Sequence, residues 1–202
     1  VRLFVVFHKF LLQQTVVPSD ANVKKNLNFV KNQAVPAWHL PMMNDERRNK
    51  SYSQALKGAI NKGDFVLEIG TGSGLLSMMA ADAGASKVVT CESSPIIANI
   101  AKKIIKKNGF DEKITVFGKP STELILGQEL PMQADVIVSE ILSAGFVGEG
   151  VRPAIRDAKN RLLSRNGRMI PESGEIKIAL LSKSAELSRL ISVGKVRGYD
   201  LS

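Results

Sequence analysis

The sequence has one cysteine, Cys91, in 202 residues, which excludes a disulfide framework and any multi-cysteine metal site. Cys91 closes the apolar run Val88-Val89-Thr90-Cys91 and is expected as a buried structural thiol. That usage fits a reducing, cytoplasmic setting, or a nuclear one in a eukaryote. No run of about 18 apolar residues is present, so no helix is expected to span a membrane. The apolar stretch from Val1 to Leu12 raises the question of a signal peptide. His8 and Lys9 interrupt it, and no small-x-small cleavage site follows in Gln13-Gln14-Thr15-Val16-Val17. A packed helix or strand at the edge of a preceding module is expected there instead. There is no internal repeat and no low-complexity tract, and no metal site is expected.

Acidic residues are scarce overall, leaving a formal charge of +9, and their distribution bears on the partner. Residues 1–63 hold ten basic and three acidic side chains, residues 64–150 seven and eleven, and residues 151–202 eleven and five. A nucleic-acid footprint lies on the element that touches phosphate, yet here the glycine-rich segment is the acidic one. The basic flanks read as solvated faces that serve solubility, and neither nucleic acid nor membrane is expected as a partner.

Three stretches follow from punctuation and periodicity. Residues 1–35 form a basic arm closed by Val35-Pro36. From Met42 to Ile60 the spacing of Met43, Arg47, Tyr52, Ala55, Leu56 and Ile60 predicts a helix, with Asn44 or Asp45 as N-cap. Asn61-Lys62-Gly63-Asp64 ends it with turn chemistry. Beyond Asp64, short β-rich runs alternate with helical patterns. Strands are expected at 65–69, 87–91, 114–117, 134–138 and 168–170, and helices at 74–83, 94–107 and 151–163. The helix from Ser94 carries the apolar residues Ile96, Ile97, Ile100, Ile104 and Ile105. Such alternation predicts a parallel sheet with right-handed crossovers, a doubly wound α/β fold.

The chemistry concentrates in Glu68-Ile69-Gly70-Thr71-Gly72-Ser73-Gly74, which follows a strand and opens a helix, as a nucleotide-type loop must. Glycines let the backbone turn tightly and bring main-chain amides against a ligand. The dinucleotide fingerprint is Gly-x-Gly-x-x-Gly, whereas here the third glycine comes one residue sooner. Glu68, just before the loop, suits a ligand with a cationic amino group better than a pyrophosphate. Glu92 ends the second strand, where a carboxylate can accept hydrogen bonds from both ribose hydroxyls. Together these features point to S-adenosylmethionine.

With these motifs the sequence resembles the protein arginine methyltransferases from about Trp38 to Leu180. The resemblance rests on the helix Met42-Met43-Asn44-Asp45-Glu46-Arg47-Arg48-Asn49-Lys50-Ser51-Tyr52, the loop Val66 to Gly74, Glu92, and the segment from Ser139-Glu140 to Glu149. It is closest to divergent branches with Trp-His and Asn-Asp-x-x-Arg-Asn before the loop. The resemblance implies a Rossmann-like class I methyltransferase core at 36–170, an N-terminal helical arm at 1–35 and the beginning of a β-barrel at 171–202. It implies that Arg48 pairs with the cofactor's carboxylate, that Gly70, Gly72 and Gly74 cradle the cofactor, and that Ser121 contacts adenine.

Glu140 and Glu149 match the family's two loop glutamates, and chemistry supplies the reason for two acids. A guanidinium presents five donors in a planar fork. Two carboxylates can hold it by charge-assisted bonds and aim one nitrogen at the donor methyl. The implied partner is an arginine-containing protein, with oligomers of the parent protein left open. Between the glutamates stand Ile141-Leu142-Ser143-Ala144-Gly145-Phe146, where the family often has aromatic and methionine residues, so the degree and symmetry of methylation stay open. The family's Thr-His-Trp loop has no counterpart, since the histidines are His8 and His39 and the one tryptophan is Trp38. Two other readings share the glycine loop and Glu92: a methyltransferase for a small molecule or another protein group, and a cofactor-binding module without catalysis.

Overall fold

The strand-forming runs assemble into a single parallel sheet. In the computed structural model the described residues are 39–142 and 150–176, with the backbone of 195–196 and 199–200. The expected arm at 1–35, Trp38, Glu149 and most of the segment 171–202 lie outside them.

A short helix α1 (His39–Met43) is followed by α2 (Glu46–Ala59). Of the two candidate caps the structure uses Asp45, whose Oδ1 accepts from the amide of Arg48 at 3.0 Å, satisfying a donor that a helix start leaves unpaired. Then come β1 (Phe65–Ile69), α3 (Leu75–Asp82), β2 (Lys87–Cys91), α4 (Pro95–Lys107) and β3 (Ile114–Phe117). A 3₁₀ turn (Ser121–Glu123) leads to β4 (Ala134–Ser139), α5 (Val151–Arg161) and β5 (Leu163–Ile170). Two two-residue strands, β6 (Lys195–Val196) and β7 (Tyr199–Asp200), pair antiparallel. No helix among the described residues is long and apolar enough to cross a membrane.

The sheet order is β3-β2-β1-β4-β5 with every pairing parallel. All five residues of β1 are buried, as a central strand covered on both faces requires. Alternate side chains feed two cores. Val66, Val88, Val136 and Val138 meet Leu56 of α2, Leu76 and Ala80 of α3, and Ala98, Ala101 and Ile105 of α4. Leu67, Ile69, Val89 and Ile137 meet Ala158 of α5, with Leu124, Leu130 and Leu162. The order reverses between β2 and β4 on either side of β1, so a crevice opens above the carboxyl ends of these strands.

Within α4, Ala98, Ala101 and Ile105 are buried, Ile96, Ile97 and Ile104 are half-buried, and Ile100 is 38% exposed. Small alanines let the helix lie close to the sheet, and the isoleucines flank that contact. Ile105→Ala should therefore destabilise the fold by about 2–5 kcal/mol, the usual range for emptying a core position. Ile100→Ala should stay within about 0.5 kcal/mol, as surface changes do. Urea unfolding of the two variants checks this, and equal losses would show that Ile100 is as much a core position as Ile105.

Candidate functional site

The glycine loop is built on one carbonyl. The oxygen of Cys91, at the end of β2, accepts from the amides of both Gly70 (2.9 Å) and Thr71 (3.0 Å). The chain then turns with positive φ at Gly70, Gly72 and Gly74 (87°, 52° and 84°), a region that disfavours side chains. A Cβ on Gly70 would come within 2.5 Å of the Ile141 side chain, and one on Gly72 within 3.2 Å of the His39 ring. Gly74 differs in role. Its neighbour is Ile105 of α4, at 2.8 Å from an added Cβ, so this third glycine admits close helix packing and does not line the cavity.

Glu92 is half-buried where β2 ends. Its Oε2 accepts from the amide of Gly72 (3.1 Å) and its Oε1 from the amide of Ser94 (3.0 Å). The carboxylate is thereby fixed at the cavity wall, with lone pairs remaining on each oxygen.

Glu68 lies beneath the loop and is 1% exposed. Its Oε2 accepts from the hydroxyls of Ser77 and, at 2.8 Å, Thr90. Thr71 Oγ1 stands 2.6 Å from Thr90 Oγ1 and donates to it, because the Thr90 proton is committed to Glu68. One oxygen of the residue expected to face a cationic group is thus engaged by neighbours, although Glu68 also borders the cavity. Burial pushes its carboxyl up to about 7 from an ordinary 4.5, against the two hydroxyl bonds that lower it. Burial likewise pushes the Cys91 thiol up to about 12, which leaves it the inert structural thiol expected.

The opposite side is formed by α1 and α2. Arg48 Nη2 contacts Glu140 Oε2 at 3.0 Å, with the two side chains 14% and 20% exposed. The expected partner of a cofactor carboxylate and one of the two expected guanidinium acceptors are therefore joined to each other. Arg48 Nη1 donates to Asn49 Oδ1 at 2.9 Å. Arg48 Nε is buried with no hydrogen-bond partner among the described residues. The guanidinium lies 5.4 Å from the ring centroid of Tyr52, one turn along the helix. The Tyr52 hydroxyl donates to the carbonyl of Ser139 at 3.1 Å. Burial, then Glu140, push this phenol up to about 12, so it remains a donor.

Ser121 is buried at the far wall. The whole encloses a cavity of about 870 Å³ lined by Arg48, Glu68, Gly70, Gly72, Glu92, Ser121 and Glu140, a volume suited to a small organic ligand. The structure thus brings together every expected site residue except Gly74, which packs behind the loop, and Glu149, which lies outside the described residues. Three further contributors were not singled out in the sequence for this site. His39 covers Gly72, Met43 Sδ accepts from Ser73 Oγ at 2.9 Å, and Tyr52 ties α2 to β4. Only Tyr52 left a signal, its place four residues after Arg48 on one helix face.

A parallel sheet of this order, with a glycine loop after its first strand and acids closing its second and fourth, defines the nucleotide-cofactor-binding class of α/β proteins. The chain belongs to a methyltransferase family: the family model described as ribosomal protein L11 methyltransferase (PrmA) matches residues 52–170, more than half of it. By sequence it is 45% identical over 168 residues to an arginine N(omega)-methyltransferase of Streptomyces achromogenes subsp. streptozoticus, covering 83% of this chain and 46% of that protein. It is 35% identical over 197 residues to protein arginine N-methyltransferase 9 of Xenopus laevis, covering 91% and 24%. The chain thus spans about half or less of the length of these relatives. Among solved structures, the Trypanosoma brucei PRMT1 enzyme–prozyme heterotetrameric complex with AdoHcy matches with a TM-score of 0.69 and 27% identity, over 83% of this chain and 52% of that one. PRMT6 with SAH matches at 0.60 and 28%, over 67% and 46%. The resemblance to the protein arginine methyltransferases is thereby shown.

The buried acid carries a pH signature. Because the folded state raises the Glu68 pKa, the stability it contributes is complete below about 4.5 and is lost as pH rises through about 7. At 1.36 kcal/mol per unit, wild-type protein should lose about 2–3 kcal/mol more than Glu68→Gln between pH 5 and pH 8. Urea unfolding at the two pH values measures this, and parallel profiles would show a carboxyl that titrates normally.

Proposed function

We propose that this chain is the cofactor-binding and methyl-transfer core of an S-adenosylmethionine-dependent arginine methyltransferase. The observation that carries it is the Arg48–Glu140 pair at the cavity. Glu140 already holds a guanidinium at 3.0 Å, and Arg48 keeps a buried Nε–H with no partner among the described residues. A donor of that kind strongly favours an anion, and the carboxylate end of S-adenosylmethionine is one. The rest of the wall fits the same molecule: Glu92 for the ribose hydroxyls, Ser121 for adenine, and Gly70 and Gly72 for close approach of the backbone.

S-adenosylmethionine supplies, when bound, a methyl group activated by a sulfonium. The chain's residues bind and orient. Glu140, set at the end of β4 and tied through Arg48 to α2, accepts donors of an entering guanidinium with its remaining lone pairs, and Glu149 is assigned the second carboxylate of the clamp. The pair draws positive charge away from one guanidinium nitrogen and fixes its direction. The acceptor is an arginine in a protein, as the family resemblance implies. A second reading has a specific support, because the Streptomyces relative is named for arginine alone; free arginine would meet the same clamp. Oligomer formation belongs to the proposal too, the Trypanosoma neighbour being a heterotetramer.

The test is methyl transfer by the full-length protein from labelled S-adenosylmethionine to an arginine-rich peptide, to free L-arginine and to a lysine-substituted peptide. The arginine peptide should be labelled and the lysine peptide inert. Glu140→Gln should lower the rate by about 30- to 5,000-fold, the equivalent of 2–5 kcal/mol for breaking a buried charge pair. Affinity for S-adenosylhomocysteine should fall by a smaller factor, because Glu140 reaches that end of the cofactor only through Arg48. Labelling of free arginine alone would select the second reading. Absence of transfer to any arginine acceptor, with cofactor bound, would sink the arginine assignment.

A further inference from the structure

Arg161 ends α5 and lines no part of the cavity, yet its guanidinium is fully engaged with the wall that does. Nε and Nη2 donate to Asp157 Oδ1 and Oδ2, each at 2.7 Å. Nη1 donates to the carbonyl of Leu124 at 2.9 Å, and Nη2 also reaches the carbonyls of Ser121 and Thr122, both at 3.3 Å. An exposed i,i+4 ion pair alone would contribute little. Here the carboxylate of Asp157 holds the fork in place, and Nη1 and Nη2 gather two carbonyls of one 3₁₀ turn and that of Leu124 just after it.

That turn needs holding. It is three residues long, with no side-chain cap, and short 3₁₀ turns have weak internal hydrogen bonding. Leu124 anchors one end in the core at 0% exposure, while Ser121 is buried against the cavity at 4%. Rotation of the turn about Leu124 would move Ser121; Arg161 opposes it with three carbonyl bonds, beside one long bond from Lys119 Nζ to the carbonyl of Glu123 at 3.5 Å. The opposite end of α5 reaches the same cavity, through Gly150 and Ala154. One helix thus touches the cavity with its first turn and grips the wall at Ser121 with its last residue.

We infer that Arg161, held by Asp157, is a positioning residue that sets the adenine-side wall at Ser121 and thereby the affinity for the nucleoside part of the cofactor. This rests on the proposal that the cavity takes S-adenosylmethionine. Lysine cannot replace the arginine fully, because an ammonium lacks the fork that serves two carboxylate oxygens and the carbonyls together.

The experiment uses full-length wild-type protein with Arg161→Leu, Arg161→Lys and Asp157→Asn, all at partly exposed positions. Amide hydrogen exchange over residues 120–126 is measured without ligand, and calorimetry gives Kd for S-adenosylhomocysteine and for adenosine. Arg161→Leu should speed exchange at Glu123 and Leu124 and weaken both ligands by the same factor, about tenfold on the affinity scale. Arg161→Lys and Asp157→Asn should fall between Leu and wild type. KM for the cofactor should rise in step, with kcat at saturation within about twofold of wild type. Faster exchange with unchanged affinities would make the latch a brace of the loop only and overturn the inference, as would unchanged exchange. Wild-type protein that binds neither ligand would overturn the cofactor proposal and this inference together. Normal wild-type binding with indifferent variants would overturn this inference alone.

Discussion

The site depends on a single acceptor, the carbonyl of Cys91 shared by the amides of Gly70 and Thr71. Parallel pairing of β1 with β2 ends at this residue, and the two donors force the departing chain to fold back over the strand ends. Everything nearby follows from that reversal. Thr71 is brought over Thr90, Gly72 is brought within reach of Glu92, and α3 starts at the angle that packs Gly74 on Ile105. Beneath the loop Glu68 serves as a buried post, its carboxyl bridging Ser77 of α3 and Thr90 of β2. A buried acceptor satisfied from two elements fixes their relative position, because moving either one leaves a polar group unpaired in the interior.

The second half of the site comes from elsewhere in the chain and is joined to the first by α2. Arg48 and Tyr52, one turn apart, reach Glu140 and the carbonyl of Ser139 respectively. The helix that closes the cavity is therefore registered on the strand that carries the acid, by one ion pair and one hydrogen bond. This is why an arginine on one element and a glutamate on another act as one unit. Removing either leaves the other buried without its partner, a larger penalty than losing the contact itself.

Most of this architecture was legible in the sequence, for identifiable reasons. β1, β2 and β3 have the boundaries that turn residues and β-branched runs imply, because a strand buried on both faces leaves little choice of register. Glu92 was legible from its place after an apolar run, and the loop from its glycines. What was not legible is pairing across distance. Nothing in the spacing announces that Arg48 contacts Glu140, that Ser77 and Thr90 hold Glu68, or that Gly74 answers to a helix packing against it. Nor does periodicity show that Ala98 and Ala101, beside the isoleucines, are among the most deeply buried residues of α4. The helix expected from Met42 is interrupted before Asp45, where an aspartate cap competes with continuation.

The orientation of α4 has a consequence at long range. Its first turn meets the cavity through Ile97, and it runs antiparallel to the strands. Lys102, Lys103, Lys106 and Lys107 therefore lie exposed toward the opposite end of the sheet, with Lys107 about 15 Å farther along the axis than Ile97 at 1.5 Å per residue. Glu92 and Glu140 stand at the cavity end. The lysines of α4 are thus held at the far end of the sheet, away from the cavity that Glu92 and Glu140 line.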